Sequence, residues 1–133
     1  MNTSKADLLV KSLAVVAVLF GLLTVFSGGR TLFGGEAARL AAGAIVPFVL
    51  WFNFLAGFAY VVAGVGLFMQ QRWAMWLAVA IAVSTAFTSA ALGAVIVSGG
   101  AFEQRTVFAM GLRTIVWMVI ASVAWRRLAR RTT

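Results

Sequence analysis

The sequence predicts an all-α fold, a polytopic membrane protein built as an antiparallel four-helix transmembrane bundle. Three observations carry that expectation. At the centre of the chain two apolar stretches, 47–69 and 73–97, are separated only by Gln70, Gln71 and Arg72, and neither contains a formal charge. Each meets the requirement of about 20 apolar residues for crossing a hydrocarbon layer. Two further apolar runs, 8–26 and 106–125, flank this hairpin. Finally, 63% of the 133 residues are hydrophobic, whereas soluble domains hold about half. The whole chain, 1–133, reads as one membrane domain.

The first span opens with Ser4 and Asp7 in the S-x-x-D form of a capping box, which predicts a helix start just ahead of the apolar run. Lys11 interrupts that run near its end, where the ammonium can reach the headgroups while its methylenes stay among lipid chains. The start reads as an uncleaved span, since no A-x-A pattern follows. Ser27, Gly28 and Gly29 are expected to stop the helix and leave 27–44 as an outer loop. Within it, Glu36 and Arg39 stand at i,i+3 and Leu32, Phe33 and Leu40 supply apolar anchors. That pattern predicts a short helix lying in the interface.

Pro47 suits the first turn of the second span, where its missing N–H costs nothing. Further along, Ala56, Ala59, Ala63 and Gly66 recur at spacings of three and four, with Gly57 and Gly64 beside them. Helices in lipid associate by close backbone approach rather than water exclusion, so this stripe marks a helix-packing side. Phe48, Trp51, Phe58, Val62 and Val65 fall on another side, suited to lipid. In the third span Ala74, Ala78, Ala82, Ala86, Ala90 and Ala94 stand four apart, which predicts one continuous groove and a right-handed crossing of about −40°. Ser84, Thr85, Thr88 and Ser89 form a hydroxyl cluster, suited to bonding carbonyls one turn earlier. Ser98, Gly99 and Gly100 end this span with the same Ser-Gly-Gly found after the first. The fourth span carries Arg113 and runs into a basic tail, 126–133, whose Arg126, Arg127, Arg130 and Arg131 read as an anchor in anionic headgroups.

Charge sets the orientation. In alternating spans Lys5, Lys11, Arg72 and the four tail arginines share one side, seven bases against Arg30, Arg39 and Arg105 on the other. The positive-inside rule then puts both termini in the cytoplasm. Trp73, Trp76 and Trp125 lie near that interface and Trp51 near the outer one. A net charge of +8 is therefore a signal of topology and anionic lipid, and no nucleic-acid partner is expected.

The catalytic inventory is sparse. With no cysteine and no histidine, and with Asp7, Glu36 and Glu103 as the only acids, thiolate chemistry, disulfides and Cys- or His-ligated metal sites are excluded. No cofactor and no catalytic residue is expected. One polar constellation stands out. Counted inward at about 1.5 Å per residue, Asn53, Thr88, Ser89 and Arg113 fall roughly 9 to 14 Å below the outer boundary. Asn53 shares a helix face with Gly57, Tyr60 and Gly64. A guanidinium within a span costs a few kcal/mol and ordinarily faces protein or water. Three arrangements are open to Arg113: an ion pair with Glu36 or Glu103, an anionic or carbonyl-bearing ligand such as a lipid phosphate or quinone head, or an outward turn to water.

In Gly57, Gly64, the Gly66–Leu67 pair, Arg72, Ala74 and the alanine-rich third span, the middle of the chain resembles the DoxX-like group of small bacterial four-span proteins. The FGLLTVFSGGRTLFG stretch is similar to that group's opening helix and its glycine-containing exit. The resemblance covers most of 17–93. It implies a four-helix bundle of the bacterial inner membrane that accompanies redox or quinone-linked partners, and it transfers no catalytic residue. The leading expectation is a non-catalytic accessory, assembly or scaffold subunit, a homo-oligomer or the companion of another membrane subunit. The alternative is a small binding or transport protein that uses the Arg113 layer.

Overall fold

The structure, a computed structural model, describes residues 3–43 and 46–128. Five helices follow one another: α1 (Thr3–Phe33), α2 (Glu36–Ala42), α3 (Pro47–Phe68), α4 (Arg72–Val97) and α5 (Gln104–Leu128). All but α2 are long and apolar enough to cross a membrane, and no strand occurs among the described residues. Phe26 and Phe87 are 69% and 75% exposed. Such side chains would drive aggregation in water and are at home against lipid. The chain is a multi-pass, all-α membrane protein with a four-helix bundle.

The tightest seam joins α1 to α3. Ala14, Ala17, Gly21, Thr24 and Gly28 recur at three and four along α1, and all are buried. They face Gly57 and Gly64 of α3. A Cβ on Gly21 would lie 2.7 Å from the Gly57 carbonyl oxygen, and one on Gly64 would lie 2.8 Å from that of Ala14. Backbone touches backbone at both levels, as small-residue packing in lipid requires. Around this seam the core gathers Tyr60 and Leu67 of α3, Met75 and Ala78 of α4, and Trp117 and Ile120 of α5. A smaller cluster, near the start of α3, joins Val46 and Val49 to Leu92 and Met110. By contrast, α1 and α5 meet along only a short stretch.

Three expectations need correcting. Ser27, Gly28 and Gly29 do not stop α1, which runs on to Phe33. Gly28 instead receives Phe54 of α3, whose Cβ would stand 3.2 Å from any Cβ placed there. The helix ends at Gly34 and Gly35, the latter at φ 91°, so only the end of the expected loop is irregular, interrupted by α2. Ser4 lies inside α1 rather than ahead of it, because the helix already includes Thr3. The alanine row of α4 is buried only at Ala74, Ala78 and Ala82, while Ala86, Ala90 and Ala94 are exposed. A step of four residues advances about 40° around a helix, so five steps carry the row roughly 200° and onto the opposite face. The buried row passes instead to Thr85 and Leu92.

The two hairpin exits share one device. After α3 the Gln71 N–H donates to the Gly66 carbonyl and the Gln70 N–H to that of Leu67; after α4 the Gly100 N–H donates to Val95 and the Gly99 N–H to Ile96. Both are Schellman turns. Their left-handed residues are Gly99 at φ 86° and Gln70 at φ 55°. A left-handed residue with a Cβ costs about 1–2 kcal/mol, and glycine loses roughly 0.4–1 kcal/mol through its freer unfolded chain. Gln70→Gly is therefore expected to stabilise the protein by about 0.5–1 kcal/mol, seen as a higher thermal midpoint in detergent micelles. A lowered midpoint would refute this.

Candidate functional site

Arg113 sits on α5 where that helix faces Thr24 of α1 and Tyr60 of α3. Its Nη1 donates to Thr24 Oγ1 at 2.8 Å and to the Tyr60 hydroxyl at 3.4 Å. The guanidinium carbon lies 4.7 Å from the Phe20 ring centroid and 5.9 Å from that of Tyr60. Tyr60, fully buried, packs in turn on Phe20 at 5.6 Å and on Trp117 at 4.8 Å. Side chains of α1 and α3 thus hold the cation of α5 over two aromatic rings. A desolvated cation–π contact contributes about 2 kcal/mol, of the order of the few kcal/mol that a guanidinium costs in a span.

That cradle leaves the head of Arg113 incompletely bonded. Its two hydrogen bonds both leave from Nη1, and the buried Nε has no partner among the described residues. The Nε–Nη2 edge is the fork with which arginine grips a carboxylate or phosphate through two parallel bonds.

Arg113 and Asn53 both line a cleft of about 280 Å³ at the end of the bundle where α1 gives way to α2. Ser27 and Thr31 form its α1 wall, Val49 and Leu50 join Asn53 on α3, and Glu103, Arg105, Thr106 and Ala109 complete the α5 side. Asn53 Oδ1 is likewise buried without a partner. An orphaned buried polar atom costs about 1–3 kcal/mol, and more when charged. Two arginines against one carboxylate leave the lining with a net charge of +1.

The rim of the cleft is tied down by α2. Arg105 Nη2 donates to the Ala41 carbonyl at 3.4 Å, linking this short helix to the start of α5. Gly43, at φ 79°, lies so close to Glu103 that any Cβ there would strike the carboxylate.

Of the residues singled out by sequence, Asn53, Tyr60 and Arg113 come together here, and Glu103 joins the cleft lining. Glu36 is exposed at the start of α2 and is not part of that lining. Thr88 donates back to the Ser84 carbonyl at 2.9 Å, and Ser89 meets Thr114 of α5 at 2.9 Å. Ser89 belongs to the α4–α5 seam and Thr88 bonds within its own helix, and neither lines the Arg113 cleft. At the other end Arg126 is exposed and Arg127 half-buried, whereas Arg130 and Arg131, like the side chain of Arg39, lie outside the described residues. Two members of the site escaped sequence reasoning: Phe20, and Thr24, the one hydroxyl in the small-residue stripe of α1. That stripe's three-and-four spacing was the available signal. Comparison with protein-family models, curated proteins and solved structures finds no match to this chain.

Proposed function

We propose that this chain is a non-catalytic binding protein of the bacterial inner membrane, with both termini in the cytoplasm, that holds a small polar ligand in its outer cleft. One observation carries the reading: Arg113 and Asn53, each with hydrogen-bonding capacity unmet among the described residues, line the same polar cleft. Water or protein satisfies most such groups, and here the described residues do not.

The test is native mass spectrometry of protein extracted from its own host in mild detergent. Wild type is expected to carry one endogenous small molecule per chain, absent from Arg113→Met. That variant is expected to fold. Removing a charge worth about 2.5–3.5 kcal/mol on insertion scales offsets two hydrogen bonds of about 0.6 kcal/mol each and the cation–π contact of about 2 kcal/mol. Ligand-free wild type would overturn the reading.

A second reading, an accessory or assembly subunit within an oligomer or a redox- or quinone-linked complex, draws on the outer half of α4. There Ala86, Ala90 and Ala94 face outward, and a Cβ on Gly93 would touch nothing within 4 Å. A stoichiometric co-purifying protein in the same spectra, with an empty cleft, would favour it.

A further inference from the structure

Resting on the binding reading, the geometry points to a chemical class of ligand: we propose that the cleft takes the phosphate group of an anionic lipid, with the acyl chains left in the bilayer. Four features converge on that class. The guanidinium of Arg113 keeps donor capacity that no described residue engages, suited to the charge-assisted hydrogen bonds of an oxyanion, and Phe20 and Tyr60 hold it in place. The net charge of +1 from Arg105, Arg113 and Glu103 calls for a monoanion, which a neutral quinone carbonyl does not supply. Asn53 adds a neutral amide that can donate to or accept from a headgroup hydroxyl.

Depth and size complete the argument. The cleft runs from Arg105 at the start of α5 to Arg113, about 12 Å further along that helix, so a headgroup drawn into it reaches from the interface to the guanidinium. A volume of about 280 Å³ lies just below the usual range of about 300–1,000 Å³ for drug-sized ligands. It accommodates a headgroup and excludes the tails. The helices that form two of the cleft's walls, α1 and α5, meet along only a short stretch.

The experiment adds three probes separately to delipidated protein in a maltoside detergent, with adducts counted by native mass spectrometry: phosphatidylglycerol, a phosphate-free galactosyl diglyceride, and inorganic phosphate. One phosphatidylglycerol per chain is expected to bind with affinity lowered at least tenfold in Arg113→Met. A similar loss is expected in Arg113→Lys, whose shorter reach and compact ammonium keep the charge and lose the planar array of donors. Glu103→Gln, which removes the cleft's own negative charge, is expected to bind as tightly as wild type or more tightly. Lipid held by the basic tail is indifferent to all three substitutions, which separates it from lipid in the cleft. Inorganic phosphate binding as tightly as the lipid would overturn the lipid assignment, and so would Arg113-dependent binding of the galactolipid. So would weakened binding in Glu103→Gln. A neutral endogenous molecule lost in Arg113→Met would overturn this inference while leaving the binding function in place; an empty wild-type cleft would overturn both.

Discussion

Gly21→Leu is expected to break the pairing of α1 with α3 and to be among the most damaging single substitutions in the chain. Overpacking a protein interior costs about 1–3 kcal/mol when side chains can shift. Here the atoms in the way are the Gly57 carbonyl oxygen at 2.7 Å and the Tyr60 Cβ at 2.9 Å from the first added carbon. Backbone cannot rotate aside, so a loss of about 3 kcal/mol or more is expected. Gly111→Leu is the matched control, because nothing lies within 4 Å of that position. Replacing glycine in an exposed helix interior gains about 0.5–1 kcal/mol. Denaturation of the two variants in mixed micelles should therefore shift in opposite directions, and equal shifts would remove the argument for backbone contact.

Tyr60→Ala is the second large effect, with an expected cost of about 3 kcal/mol. In lipid the water-transfer part of a truncation disappears, which leaves the cavity and the lost contacts. Large-to-small changes at aromatic sites cost about 3–5 kcal/mol in water, and each aromatic pair contributes about 0.5–1.5 kcal/mol. Tyr60 makes two such pairs and is fully buried. Tyr60→Phe retains both rings and gives up only a hydrogen bond of 3.4 Å, so less than about 1 kcal/mol is expected to go. Comparable losses in the two variants, read from the same micelle titration, would place the hydroxyl rather than the stack at the centre of the site.

The fold class was legible because uncharged runs of membrane length admit few alternatives. What was not legible turned on context. Ser-Gly-Gly occurs twice, and at 98–100 it makes a Schellman turn while at 27–29 it stays helical. The difference lies across the helix seam: Gly28 has Phe54 against it, whereas Gly99 has nothing within 4 Å. The alanine row of α4 was correct for three residues, and the drift of a four-residue step carried the rest outward. Half of the site was visible for a simple reason: an arginine and an asparagine are conspicuous in apolar spans. Phe20 and Thr24 were not, since each is ordinary in its own helix and becomes informative only when α1 lies against α5.

The close seam between α1 and α3 also bears on the order in which the chain is made. Its last residue, Phe68, leaves the ribosome about 45 residues before Arg113, an interval of roughly 2–9 s at the usual 5–20 residues per second. By then Thr24, Phe20 and Tyr60 can already stand together, so vectorial synthesis delivers the most lipophobic side chain of the spans to a finished receptor. The most difficult residue to insert thus arrives in the last of the four spans.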